Sequence, residues 1–151
     1  MVLSFLEGLL WLTLNVYHEA RGEPEVGQLA VAHVTLNRAM EERTSIAEVV
    51  RKPYQFSWTF QKKSYVPLDL HPLQKSLNIA LKAMTSRDFT GGATYFHRYD
   101  LNPEWAATKT FTARYGAHRF YRDGRKTTPI YAFNQTSLCL HPLSGLSTPK
   151  R

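Results

Sequence analysis

The pattern of apolar residues predicts an α+β domain dominated by helix, with one small β element. Two observations carry this. Between residues 4 and 86, apolar side chains recur at helical spacing in four runs, bounded by capping residues, prolines or glycines. Between residues 111 and 121 the spacing changes to alternation around Gly116, as in a hairpin. A chain of 151 residues, 43% hydrophobic and 13% aromatic, has enough apolar surface for one domain core and too much for a wholly disordered chain.

Each element has its own signals. The first helix is expected over residues 4–19, with Ser4 as cap, Glu7 completing a capping box, and Leu6, Leu9, Leu10, Leu14 and Tyr17 facing the core. The run Ala20-Arg21-Gly22-Glu23-Pro24 breaks it, with Gly22 in a left-handed turn and Pro24 opening the next helix. That helix extends to about Met40, with Val26, Leu29, Ala30, His33, Val34 and Asn37 on one stripe and small residues allowing close packing. A short third helix starts at the Ser45/Glu48 capping box and closes before Pro53; Gln55-Phe56-Ser57-Trp58 then reads as an ordered loop or short strand. A fourth helix begins at Pro72, carries Leu73, Leu77, Ala80, Leu81 and Met84, and ends near Ser86, ahead of Gly91-Gly92. Ala93 to His97 reads as a strand, Asn102-Pro103-Glu104-Trp105 as one helical turn capped by Asn102, and residues 111–121 as the hairpin. Beyond Lys126 the composition turns to Pro, Thr and Ser with only two charges, so residues 127–151 read as a loosely ordered tail, pinned by Ile130, Tyr131 and Phe133.

Composition narrows the chemistry. The formal net charge is +7, which fits an anionic partner without choosing among nucleic acid, a membrane face and an acidic wall polymer. The apolar stretch Val2–Val16, interrupted by Glu7, Gly8 and Asn15, is too short and polar to span a membrane and lacks the basic start of a secretory signal. Cys139 alone forms no internal disulfide. His18-Glu19 suggests a zinc helix, but the second histidine that motif needs is Gly22, and His33, His97 and His118 have no metal-ligand spacing. No nucleophile elbow or phosphate loop is present. Neither a metal nor a cofactor is expected.

The carboxylates are few. Glu19 ends an apolar helix beside a sharp turn, where burial and the helix C-terminus both raise a carboxyl pKa and make it a usable acid near neutrality. Position alone leaves open a surface pairing with Arg21 or His18. Glu23, at a helix start, reads as structural, a carboxylate accepting backbone N–H groups. One acid raised and one lowered is a pairing used in glycoside cleavage. Aromatic residues from Phe56 to Trp105 suit stacking on sugar rings, with Gln55, His97 and Asn102 for hydroxyls; about half of such aromatics belong to the core, and the same mixture also suits single-stranded nucleic acid.

Three ordered blocks carry a resemblance. Tyr17-His18-Glu19-Ala20-Arg21-Gly22-Glu23-Pro24, with Gly27 to Ala32 and Leu36-Asn37-Arg38, resembles the opening motif of the SleB/CwlJ-type cell wall hydrolases, the spore-cortex-lytic enzymes and their phage and proteobacterial relatives. Pro53 to Trp58 resembles that family's Q-F-S block, and Gly92 to His97, Pro103, Trp105 and Gly116 to Tyr121 resemble its C-terminal half. The likeness covers roughly residues 10–122. It implies a lysozyme-like catalytic domain over 1–126, acting on peptidoglycan glycan strands; a monomer is expected, with no nucleic acid, metal, cofactor or stable membrane insertion. It places the catalytic acid on Glu19 and nominates Gln55, Phe56, Ser57, Trp58, Tyr95, His97, Trp105 and His118 as substrate-binding. Ala117 departs from the asparagine common in the last block.

The resemblance implies lytic transglycosylase chemistry as well as simple hydrolysis. A transglycosylase needs Glu19 alone; a hydrolase needs a second carboxylate, for which Glu23, Asp100 and Glu104 are the candidates. A basic, non-catalytic module binding wall polymer or nucleic acid is the alternative of another class. The expected place of action is the bacterial cell wall, reached from the host cytoplasm if the chain is a phage endolysin.

Overall fold

The computed structural model describes residues 1–124; the expected tail over 127–151, with Ile130, Tyr131, Phe133 and Cys139, lies outside the described residues. The element order is α1 (Val2–Ala20), α2 (Glu25–Glu42), α3 (Ile46–Arg51), α4 (Trp58–Gln61), α5 (Leu70–Thr85), β1 (Tyr95–Arg98), a 3-10 helix (Glu104–Thr108), β2 (Thr110–Tyr115) and β3 (His118–Arg122). This is the expected α+β class, helices first and a three-stranded sheet last. Among the described residues no helix is long and apolar enough to cross a membrane.

Helix α1 begins earlier than its capping signal suggests. Met1 is the N-cap, and Ser4 bonds back to the Met1 carbonyl (2.7 Å) instead of capping the helix. The buried line is Gly8, Leu12, Asn15, Val16 and Ala20; Leu6 and Leu10, expected in the core, are 52% and 55% exposed. Apolar residues surround the N-terminal half of α1, so periodicity alone cannot select its inner face. Packing selects it: Leu12 and Val16 meet Ala32 of α2 and Ile79, Ala80 and Ala83 of α5. Gly8 lets Ile46 approach, since a Cβ there would lie 3.3 Å from the Ile46 Cδ1.

The turn to α2 holds no left-handed glycine. Arg21 has right-handed helical angles, Gly22 is not among the positive-φ residues, and Glu23 N–H bonds to the Ala20 carbonyl at 2.8 Å. On α2, Ala30, His33, Val34 and Asn37 are buried as expected, while Val26 is exposed. Pro24 caps α2 from outside rather than occupying its first position. The capping box of α3 forms as read: Ser45 Oγ accepts from Glu48 N–H, and the Glu48 carboxylate accepts from Ser45 N–H. Residues 55–57 form turns and Trp58 opens a single-turn helix, so neither a strand nor a plain loop follows α3. Helix α5 starts at Leu70, two residues before Pro72, which the free N–H positions of a first turn tolerate. Its inner face is Ser76, Ile79, Ala80 and Ala83, with Leu77 and Leu81 partly exposed.

The sheet is antiparallel in the order β1-β3-β2, with a bulge between Phe111 and Ala113. Gly116 turns the β2–β3 hairpin at φ 56°. Pro103 rather than Asn102 caps the 3-10 helix, without a side-chain bond. Phe120 from β3 packs on Ala20, Ala30, Val31, Val34 and Ala93, which joins the sheet to the end of α1 and to α2.

Candidate active site

Glu19 sits in the last turn of α1, next to the junction of helices and sheet. Its side chain is half-buried and engages neither neighbour that its position suggested. His18 stacks on Trp58 (4.4 Å between ring centroids), and Arg21 lies over the Tyr17 ring at 4.9 Å. No ion pair or hydrogen bond holds the Glu19 carboxyl among the described residues. Burial therefore dominates and raises its pKa from 4.5 to about 7, against the smaller opposing pull of the Arg38 guanidinium. At neutral pH the group is part protonated and part ionised, the condition for one residue to give and take a proton.

Arg38 had no role assigned from sequence, although it closes the first motif. Its Nε donates to the Thr94 carbonyl at 2.5 Å, and its guanidinium lies over Phe56 (5.1 Å) and Tyr95 (5.9 Å). Nη1 is buried without a partner. The arginine thus carries positive charge and a free donor into the region of Glu19. An arginine four residues after the buried His33–Val34 stripe was the available signal.

The far side is braced by a buried polar chain. Trp58 Nε1 donates to Asn15 Oδ1 (2.9 Å), and Asn15 Nδ2 donates to Thr35 Oγ1 (3.0 Å). Asn15 interrupts an apolar helix face because it is the group that satisfies the indole N–H. His18 Nε2 donates to the Tyr65 carbonyl at 3.1 Å, so its proton is on Nε2, and Nδ1 is left without a partner. Burial lowers the His18 pKa, with Lys62 and Arg21 adding to it, so His18 is neutral beside Glu19.

The nominated binding residues divide into groups. Phe56 and Trp58 are each 3% exposed and belong to a core cluster with Ala39, Val49 and Val50, so they shape the site from beneath. Ser57 is exposed before α4 and Gln55 is half-buried. Tyr95 faces Arg38 on one side and packs on Trp105 (5.6 Å) on the other. His97 is buried on the outer sheet face, stacked on Tyr121 and edged by Trp105; its Nδ1 donates to the Arg98 carbonyl and its Nε2 accepts from the Tyr121 hydroxyl (3.1 Å). His118 is buried between Phe96 and the Glu23 carboxylate, with Nδ1 3.8 Å from Oε2. His33 lies elsewhere, against Ser86 and Asp88, so the three histidines do not converge. No cluster of three or more potential metal ligands occurs among the described residues.

Two of the other three candidate carboxylates are occupied. Glu23 Oε2 accepts from Ala117 N–H at 2.7 Å, across from the hairpin turn, so it ties α2 to the sheet rather than capping its own helix. Asp100 pairs bidentately with Arg98 (3.1 and 2.9 Å), and Glu104 is exposed at the start of the 3-10 helix.

Comparison with known proteins identifies the family and the fold. The Cell Wall Hydrolase family matches residues 22–121, beginning three residues after Glu19. The spore cortex-lytic enzyme of Halalkalibacterium halodurans is 34% identical over 108 residues, and that of Bacillus subtilis 32% over 112. These matches cover 70% and 72% of this chain but only 32% and 35% of the relatives, so the chain spans about a third of their length. Among solved structures, the catalytic domain of the Bacillus cereus SleB protein superposes with a TM-score of 0.67 at 28% identity, covering 78% of this chain and 91% of that one. The catalytic domain of the germination-specific lytic transglycosylase SleB from Bacillus anthracis does so with a TM-score of 0.67 at 29% identity, covering 77% and 94%. With the family match over most of the described residues and the same fold in its solved domains, the chain belongs to the Cell Wall Hydrolase family.

Proposed function

We propose that the chain is a peptidoglycan-degrading glycosidase that cleaves the MurNAc–GlcNAc backbone as a lytic transglycosylase, with Glu19 as its single acid and base. The observation that carries this is the isolation of Glu19: a half-buried carboxyl group with no partner and a pKa of about 7. A group of that pKa donates a proton to the leaving glycosidic oxygen as the C1–O bond breaks. The resulting carboxylate then accepts the proton of the sugar's own C6 hydroxyl, whose oxygen bonds to C1 and closes a 1,6-anhydro ring. The proton gained in the second half restores the acid, so no water is consumed.

The surroundings support this cycle. Arg38 stabilises the carboxylate formed between the two transfers. The engagement of Glu23 and Asp100 elsewhere favours transglycosylation over hydrolysis, which needs a second carboxylate to activate water. The net charge of +7 suits an anionic wall, the proposed place of action. The active unit on this reading is residues 1–126. Incubation of purified peptidoglycan with folded wild-type and Glu19→Gln chains tests it. Release of soluble fragments by the wild type alone is expected; comparable release by the variant refutes Glu19 as the acid.

A further inference from the structure

A hollow of about 580 Å³ lies against the middle of α1, away from Glu19, and its lining includes Trp11, Arg51, Tyr54, Thr59, Phe60 and Tyr65. We propose that this hollow is a distal subsite that holds a sugar ring of the anionic glycan strand while the bond at Glu19 is cleaved. The inference rests on the wall-glycan reading above.

Three observations converge on it. The first is Tyr54, whose φ of 63° places a bulky side chain in the left-handed region that glycine prefers. The ring is 86% exposed, so burial does not compensate the strain. It leans on Phe60 (5.6 Å, 57°), and the two rings form an open aromatic wall. Strain held at an exposed aromatic residue is characteristic of a binding position.

The second is continuity with Glu19. Trp11 meets the edge of Tyr65 (6.2 Å), Tyr65 meets Trp58 (5.1 Å), and Trp58 stacks on His18, the neighbour of Glu19. Trp11 and Glu19 share one helix eight residues apart, about 12 Å along its axis. On this proposal one extended glycan strand lies along α1 and reaches both.

The third is charge. Arg51 holds its guanidinium over Trp11 at 5.6 Å and makes no ion pair among the described residues. The nearby Glu48 carboxylate is engaged by Thr44 and Ser45. A cation beside aromatic rings suits a sugar that carries a carboxylate, as MurNAc does through its lactyl group where no peptide stem is attached.

The test measures binding to the full chain carrying Glu19→Gln, with fluorescently labelled glycan strands freed of peptides and, in parallel, uncharged chitin oligosaccharides of matched length. Adding Tyr54→Gly is expected to weaken both by about tenfold, the size of one lost stacking contact. Its thermal midpoint should stay level or rise, because glycine relieves the left-handed backbone. Adding Arg51→Gln should weaken only the carboxylated strands. Unchanged binding in Tyr54→Gly overturns the subsite, as does weaker binding accompanied by a lower midpoint, which would make the ring structural. Should Glu19→Gln itself still degrade peptidoglycan, the catalytic reading fails separately from these binding ratios.

Discussion

Two carboxylates four residues apart, at the end of α1 and the start of α2, lie in opposite environments. Glu19 is half-buried with no partner, and its pKa rises to about 7. Glu23 reaches across to the hairpin, accepts from Ala117 N–H and faces His118. A single turn, Arg21 to Pro24, separates a group left free for chemistry from one used for assembly. The lesson is that residue type does not set the role here. What sets it is whether the sheet supplies a donor.

The sharpest way to break the comparison is to remove each carboxylate. Glu19→Gln should lower the rate of peptidoglycan cleavage by about a thousandfold or more, the usual scale for a lost general acid, with circular dichroism unchanged. Glu23→Ala should leave part of the activity and act mainly on stability, since it strands a backbone N–H at a cost of about 1–3 kcal/mol. Thermal melts of the two variants separate the roles.

The hairpin side of the contrast is sharper still in Gly116. A Cβ there would lie 2.1 Å from Glu23 Oε2, at φ 56°. Gly116→Ala should therefore cost about 3 kcal/mol or more. In the double variant with Glu23→Ala the clash with the carboxylate disappears and only the 3.2 Å approach to Pro24 Cδ remains, so the joint cost should be less than the sum of the separate costs. Strict additivity in denaturant titrations would break the proposed tie between α2 and the hairpin.

The pKa of Glu19 gives a stability signature of opposite sign to its activity. Its folded pKa of about 7 lies above the unfolded 4.5, so its contribution is fully present below pH 4.5 and lost as pH rises through 7. Glu19→Gln should match the wild type near pH 4 and exceed it above pH 8 by up to about 3 kcal/mol. Urea titrations at the two pH values check this.

The smallest expected effect concerns Arg38. Its charge favours ionised Glu19, so Arg38→Gln should move the alkaline fall of the cleavage rate to higher pH. A pH–rate profile that shifts to lower pH would contradict the electrostatic link.

Much of this was legible beforehand, and unevenly. The α3 capping box and the Gly116 turn were readable because each depends on local chemistry: a side chain reaching three residues on, or a glycine needed at positive φ. The face of α1 was not, because leucines surround its first half and the choice belongs to α2 and α5. Gly22 misled for a related reason. A Cβ there meets nothing within 4 Å and the backbone is not left-handed, so nothing in the structure explains that glycine. Glu19 stood out by position, but its solitude did not, since that depends on His18 and Arg21 turning to Trp58 and Tyr17. The sequence nominates Phe56 and Trp58 as substrate-binding, but both are buried beneath the site, and the burial of Trp58 depends on Asn15 reaching from α1 to the indole. Arg38 needed the third dimension altogether, because Thr94, Phe56 and Tyr95 hold it from distant parts of the chain.

The most direct test of the central claim, that Glu19 works alone, is mass spectrometry of the fragments the wild-type chain releases from purified peptidoglycan. The account predicts fragments ending in 1,6-anhydro-MurNAc, one water lighter than hydrolytic products, and none of either kind from Glu19→Gln. Reducing MurNAc ends from the wild type would contradict it, because a second group activating water would then have to stand opposite Glu19.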